Sequence, residues 1–325
     1  TQNWEEISQH GLALANLAPD VPRARAIGLL LGFREAFESQ DAARRRDVVR
    51  QAHVLLEDLP DSIILRSIVL DSLLQDGEWS KALVYLDQLI EERPDNLLYH
   101  ERRIALLTRL GDDAAVEAHL RQMAEDFPQN RTIPLALTRF FIERKRIDDA
   151  EAYLRTRLAP DPADPAPRLD LVRFLEEFRD QAATHEELAR AIAAVENPAP
   201  FRAVRAGLDF LYGDQATAIA EMEALIAEGE ASDETRGYKV GLARMLASSG
   251  NAVGARRVVG EVLAADAGHV QALKMEAAWK IASDNPDGAI ADLRRALERV
   301  PRDAQAMSLM ADAYIRAGNP DLARD

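Results

Sequence analysis

Four prolines recur at intervals of 34 residues in the first half of the chain: Pro60, Pro94, Pro128 and Pro162. A fixed interval of this length is typical of a repeat protein, in which one helix–turn–helix unit is copied along the chain. Because proline cannot continue a helix interior, each of the four marks a boundary between successive units. The spacing therefore predicts a stack of similar units whose stability depends on contacts between neighbours.

Two further sets of positions keep the same interval in the predicted second helix of each unit. A mostly small residue lies twelve positions before the proline, and an apolar residue follows four positions later. A separation of four places both on one helix face, where the small residue lets a neighbouring backbone approach and the larger one fills the gap. One longer step of 37 residues places an insertion near Gly229–Asp233. The small positions are Ala82, Val116, Ala150, Thr184, Ala218, Ala255, Ala289 and Ala323, and the apolar ones are Leu86, Leu120, Leu154, Leu188, Met222, Val259 and Leu293.

The predicted first helix of each unit has a ladder of its own, followed by a turn. Glycine occupies many of these turns, where a helix end often takes the left-handed conformation. Lys145, Arg179 and Asp284 replace glycine in three units, which predicts weaker turns there. The ladder residues are Leu70, Ile104, Thr138, Val172, Ala206, Ala243, Ala277 and Ala311, and the turn glycines are Gly77, Gly111, Gly213, Gly250 and Gly318.

These ladders resemble the tetratricopeptide repeat family along nearly the whole chain. Asp209 and Lys280 depart from it, since they occupy slots where the family usually has a large apolar or aromatic residue. The resemblance implies an all-α fold, a right-handed α–α superhelix (solenoid) of about eight to nine helix pairs with partial repeats at both ends. It also implies that the first helix of each pair lines a concave groove. We predict one solenoid over 1–325, made of a partial repeat 1–20, a degenerate pair 21–62, repeats 63–96, 97–130 and 131–164, weak repeats 165–198 and 199–235, repeats 236–269 and 270–303, and a partial repeat 304–325.

Both ends of the sequence are predicted to be incomplete units. Asn3–Ala18 has the pattern of a second helix without its first, and Ala304–Asp325 contains a first helix and the beginning of a second. A solenoid needs polar capping units, because each repeat buries its faces only against its neighbours. We therefore hypothesise that the sequence is a fragment of a longer repeat protein.

The charge balance is acidic, with 40 Lys and Arg against 55 Asp and Glu and a net charge of −15. Nucleic acids and anionic membranes require basic patches, so neither is expected as a partner. Arg44–Arg46 is the one dense basic cluster, and we interpret it as the exposed start of a helix. No apolar run approaches the roughly 18 residues of a membrane span. The absence of cysteine leaves both an oxidising periplasm and a reducing cytoplasm open.

No sequence signature of catalysis, cofactor binding or metal binding is found. The chain lacks a phosphate-binding loop, a dinucleotide-binding glycine pattern and a nucleophile elbow. The six histidines are scattered along the chain. The triplet His185-Glu186-Glu187 begins like a zinc motif, but Ala189 stands where the second histidine is required. We therefore expect a protein without enzymatic activity, cofactor or metal.

Arginines are prominent among the residues predicted to face the groove. The position after the first-helix ladder is Arg139 in one unit and Arg173 in the next. Guanidinium groups bind carboxylates in a bidentate manner, so this basic band is a candidate site for an acidic peptide or a chain terminus. The alternative is that neighbouring carboxylates, Glu101, Glu143, Glu176 and Glu177, neutralise the band. The candidate groove residues are Arg102, Arg109, Arg139, Arg173 and Arg244.

Three classes of function remain open. Family members that hold chaperone tails use a clamp of lysines and asparagines, but here Glu101, Ala105, Leu135 and Arg139 stand at those positions. We favour a non-catalytic protein–protein interaction scaffold in a bacterial assembly for envelope biogenesis, secretion or polysaccharide export, since the many Ala, Arg and Asp residues are typical of a bacterial genome rich in G and C. The alternatives are the substrate-selecting repeat region of a longer enzyme, such as a glycosyltransferase, and a cytoplasmic regulator that senses a peptide.

Overall fold

The computed structural model describes residues 10, 13, 17–18, 20–158 and 164–323, and its regular elements are helical throughout. The predicted helix over Asn3–Ala18 lies almost entirely outside the described residues, as does Pro162. In chain order the helices are α1 (Pro22–Glu38), α2 (Ala42–Asp58), α3 (Ile63–Gln75), α4 (Trp79–Glu92), α5 (Leu97–Leu110), α6 (Asp113–Asp126), α7 (Thr132–Glu143), α8 (Ile147–Thr156), α9 (Ala166–Phe178), α10 (Gln181–Ala194), α11 (Ala199–Tyr212), α12 (Gln215–Glu228), α13 (Asp233–Ser248), α14 (Ala252–Ala265), α15 (Val270–Ala282), α16 (Pro286–Arg299) and α17 (Ala304–Arg316), followed by a 3₁₀ helix at Pro320–Ala323.

The helices follow one another along the chain with short connections. Each predicted repeat from 63 to 303 contains one first helix and one second helix, and the degenerate pair 21–62 contains α1 and α2. Many helices begin at a side-chain cap, such as Asp112 before α6 and Asp303 before α17, which satisfies backbone donors that have no partner within the helix. The predicted all-α repeat fold is confirmed.

The chain forms two compact units, Thr1–Lys145 and Arg146–Asp325. Unit 1 contains α1 to α7 and unit 2 contains α8 to α17. Within each unit every helix packs on the next one along the chain. Short connections between packed neighbours are typical of antiparallel helix hairpins.

The two ladders of the second helices form the centre of each unit's core. From Ala82 to Ala289 and from Leu86 to Leu293, the ladder residues are at most 4% exposed. Burying each of the larger side chains contributes roughly 1.5–3 kcal/mol. In the first helices most ladder residues are also buried, although Ile104 and Ala311 are partly exposed.

The turns between paired helices fall into two groups. Gly77, Gly111, Gly250 and Gly318 have φ between 72° and 87°, and Lys145 and Asp284 take the same left-handed conformation at φ 58° and 56° despite their Cβ atoms. In the two weak repeats, Arg179 and Gly213 have φ of −126° and −134°. Each is followed by an aspartate that caps the second helix, Asp180 for α10 and Asp214 for α12. These two turns therefore do not depend on a left-handed residue.

Lys145→Gly is expected to raise the free energy of unfolding by about 0.5–1 kcal/mol, because glycine adopts the left-handed conformation without steric cost. Urea denaturation followed by circular dichroism measures this change. The matched control is Arg179→Gly, at the equivalent turn but with ordinary φ. It should be less stable than wild type, since Arg179 bonds Asp148 at 2.5 Å and Glu151 at 2.8 Å. A Lys145→Gly protein that is no more stable than wild type contradicts the interpretation.

Candidate functional site

The five candidate groove arginines all lie on first helices. In unit 1, Arg102 and Arg109 are on α5 and Arg139 is on α7, and both helices pack on α6. In unit 2, Arg173 is on α9 and Arg244 is on α13. Each unit therefore presents its own set of arginines, and the two sets are described separately.

Arg109 is held by an aromatic ring. Its guanidinium carbon lies 4.4 Å from the centroid of Trp79, the first residue of α4. A cation–π contact of this kind contributes about 0.5–1 kcal/mol at an exposed site and fixes the plane of the guanidinium. No carboxylate pairs with Arg109 among the residues that the structure describes, so its donors remain available to a ligand.

The other two arginines of unit 1 differ in how firmly they are held. Arg139 is 80% exposed and pairs with Glu143, one turn later on α7, with 2.8 Å between Nε and Oε1. Arg102 is partly buried and reaches from α5 to Asp71 on α3, with Nη1 and Oδ1 2.6 Å apart. Exposed pairs within one helix contribute about 0.3–0.5 kcal/mol, so Arg139 can exchange its carboxylate at little cost. Arg102 is the less available of the two.

The arginines of unit 2 are also weakly engaged. Arg173 is 75% exposed, and its Nη1 lies 3.3 Å from Asp170 on the same helix. Its carboxylate partner is thus Asp170, whereas Glu176 and Glu177 were the partners considered from the sequence. Arg244 donates from Nη2 to the neutral amide oxygen of Gln271 at 2.9 Å. Both guanidinium groups keep a solvent-facing charge.

The sequence reasoning missed a line of polar pairs inside the hairpins. In three repeats a basic residue of the first helix contacts a polar residue of the second helix of the same hairpin, 19 positions later in the chain. The sequence contains a signal for these pairs, because His100, Arg168 and Arg202 are separated by multiples of 34 residues. The pairs are His100–His119 at 3.2 Å, Arg168–Glu187 at 3.3 Å and Arg202–Glu221 at 2.8 Å.

Glu187 is the most buried carboxylate of this line, at 1% exposure. Arg155 of α8, Arg168 of α9 and Arg190 of α10 each place a guanidinium nitrogen 3.1–3.3 Å from its oxygens. Three helices therefore meet at one carboxylate. The zinc-like triplet that contains Glu187 is thus used for helix packing, and no group of three or more potential metal ligands occurs in the described part of the chain.

His100 and His119 form the corresponding pair in unit 1. Nε2 of His100 lies 2.9 Å from the carbonyl oxygen of Pro94, which can only accept, so this nitrogen carries a hydrogen. Nδ1 of His100 can then accept from the Nε2–H of His119, 3.2 Å away. Burial, the positive charge of Arg103 and the electrostatic effect of His100 lower the pKa of His119 from 6.5 to about 4. His119 is therefore neutral near pH 7.

Comparison with known proteins agrees with this architecture. The tetratricopeptide repeat family model matches residues 107–173 and 280–325. No curated protein matches the sequence. These two stretches are therefore similar to tetratricopeptide repeats, and the helices of the described residues form an all-α helical repeat fold. In the described ranges, no helix has the length and hydropathy that a membrane span requires.

Among solved structures, the Cut9–Hcn1 hetero-tetramer of the APC/C is similar over 95% of this chain and 59% of its own, at 15% identity and a TM-score of 0.40. PilW, a widely conserved type IV pilus biogenesis factor, is similar over 60% of this chain and 90% of its own, at 17% identity and a TM-score of 0.43. A tetratricopeptide repeat protein from Parabacteroides merdae is similar over 86% and 96%, at 13% identity and a TM-score of 0.37. The chain thus spans 59% of the length of the Cut9–Hcn1 chain.

Proposed function

We propose that the protein is a non-catalytic scaffold that binds acidic peptide segments of a protein partner on its first helices. The observation that carries the proposal is the exposure and the weak ion pairing of Arg139 and Arg173. Both are largely exposed, and among the described residues each pairs with a carboxylate of its own helix. A ligand carboxylate that replaces Glu143 or Asp170 exchanges a weak ion pair for a bidentate one.

Local charge supports an acidic ligand. With a net charge of −15, most of the surface repels a second acidic chain. Arginines that lack a strong intramolecular partner are the places where such a chain can approach. Arg109 on Trp79 and Arg244 beside Gln271 extend the set to one further arginine in each unit.

We extend the proposal to a bacterial multiprotein assembly, of the kind that serves envelope biogenesis, secretion or polysaccharide export. The support is compositional, since the chain is rich in Ala, Arg and Asp. In such an assembly the scaffold would hold partners by short acidic segments.

The test is the affinity of the protein for a fluorescein-labelled oligoglutamate peptide, measured by fluorescence anisotropy. Arg139→Glu and Arg173→Glu are each expected to lower the affinity about tenfold, because charge reversal replaces attraction by repulsion. The affinity of the wild-type protein should also fall as salt is added. Circular dichroism should show unchanged helicity, since both side chains are exposed.

Arg50→Glu is the matched control. Arg50 is 77% exposed on the second helix α2 and pairs with Asp47 of the same helix. It therefore resembles Arg173 in its exposure and in its type of ion pair, but it lies on a second helix. Its reversal should leave the affinity unchanged. Equal losses for all three variants would show a general charge effect and refute the proposed first-helix site.

A further inference from the structure

Three successive first helices of unit 2 carry two arginines with a glycine between them. The position after the first-helix ladder is Arg173 on α9, Gly207 on α11 and Arg244 on α13. Helices α9 and α11 both pack on α10, and α11 also contacts α13. Equivalent positions of the repeat lie on the same face of each hairpin, so the glycine separates the two guanidinium groups along that face.

Gly207 leaves a gap in this face. It lies inside α11, where glycine is disfavoured relative to alanine. Its φ is not positive, and a Cβ added there would meet no atom within 4 Å. Within the described residues, neither a turn nor a close neighbour requires glycine at this position. The missing side chain instead leaves room on the surface for an atom from outside the chain.

The gap has an apolar edge. Leu211, one helical turn after Gly207 and therefore on the same face, is 66% exposed. An exposed leucine beside a gap is typical of a surface that receives an apolar side chain.

We propose that unit 2 selects an extended peptide in which one apolar side chain lies between two carboxylates. The apolar side chain sits over Gly207 and packs against Leu211. The flanking carboxylates bind Arg173 on one side and Arg244 on the other. Glu176 and Glu177, which are exposed on α9, repel additional acidic residues, so the spacing of carboxylates in the ligand is restricted as well. This inference rests on the proposed function and narrows the class of its ligand.

The test uses two fluorescein-labelled peptides of about ten residues, which reach about 33 Å when extended. Both carry glutamates on either side of a central residue, which is leucine in one peptide and alanine in the other. Gly207→Leu fills the gap. Gly260→Leu, on the second helix α14, is the matched control, because an added Cβ there also meets nothing within 4 Å and both changes increase helix propensity.

The wild-type protein should bind the leucine peptide about tenfold more tightly than the alanine peptide, because the larger side chain buries more apolar surface. Gly260→Leu should keep this preference. Gly207→Leu should lose it and bind the two peptides alike, with a thermal midpoint no lower than that of wild type.

A wild-type protein that binds both peptides equally overturns the inference, and so does a Gly207→Leu protein that keeps the preference. Failure of the proposed function gives a different result. In that case Arg173→Gln and Arg244→Gln bind both peptides as wild type does, or the wild-type protein binds neither peptide.

Discussion

Glu187→Ala is expected to lower the free energy of unfolding by about 2–3 kcal/mol, because it leaves the partly buried Arg168 without its counter-ion. Glu187 is 1% exposed, and guanidinium groups from three helices converge on it. Removing the carboxylate leaves Arg168 on α9 without the carboxylate that it contacts on α10. Urea denaturation followed by circular dichroism measures the loss.

The neighbouring residue provides the control for this prediction. Glu186 is 70% exposed and pairs with Arg190 one turn later on the same helix. Glu186→Ala should change the free energy of unfolding by less than about 0.5 kcal/mol. If the two alanine variants are equally stable, the cluster around Glu187 does not hold α8, α9 and α10 together.

Acidification from pH 6.5 to pH 4 is expected to destabilise unit 1 through His119 by about 2 kcal/mol, a value that allows for partial solvent screening. The pKa of His119 is about 4 in the folded protein and 6.5 in the unfolded chain. Between these values the unfolded chain binds more protons than the folded one. The stability that neutral His119 gives to the folded protein is therefore fully present above pH 6.5, and it is lost as the pH falls towards 4.

His119→Gln tests this prediction because it removes the titrating ring while its amide can still donate to Nδ1 of His100. Its stability, measured in urea at a series of pH values, should fall less steeply than that of wild type between pH 6.5 and 4. The charged groups that face the ring, Arg103, Asp87 and Asp126, are unchanged in the variant. His53→Gln, which removes an exposed imidazole on α2, is the control and should follow wild type. A His119→Gln slope identical to wild type contradicts the assignment.

The repeat fold was predictable because its determinants are periodic. The prolines recur at a fixed interval, and so do the buried ladder residues such as Ala82 and Leu86, because similar contacts recur along the repeats. Turn conformation was less predictable. Lys145 takes the left-handed conformation and Arg179 does not, although both replace glycine at the same repeat position. Arg179 is followed by Asp180, which starts α10 from an extended backbone.

The helix that carries each candidate arginine was predictable, but the partner of its side chain was not. The repeat phase puts Arg139 and Arg173 on first helices, yet whether a carboxylate three or four residues away is the partner depends on rotamers. Arg173 selects Asp170 on the preceding turn. The pair His100–His119 was missed because its members lie 19 residues apart in the sequence and belong to no common motif. A separation of 19 residues becomes a contact only when the hairpin folds back on itself.

The central claim is that ligand carboxylates bind arginines of the first helices. The most direct test is a nitrogen-15 NMR titration of the arginine Nε–H groups with the oligoglutamate peptide. The account predicts saturable shifts for Arg109, Arg139, Arg173 and Arg244, with Arg50 on α2 unchanged. Shifts of equal size at Arg50, or no shift at any first-helix arginine when the peptide binds, would contradict it.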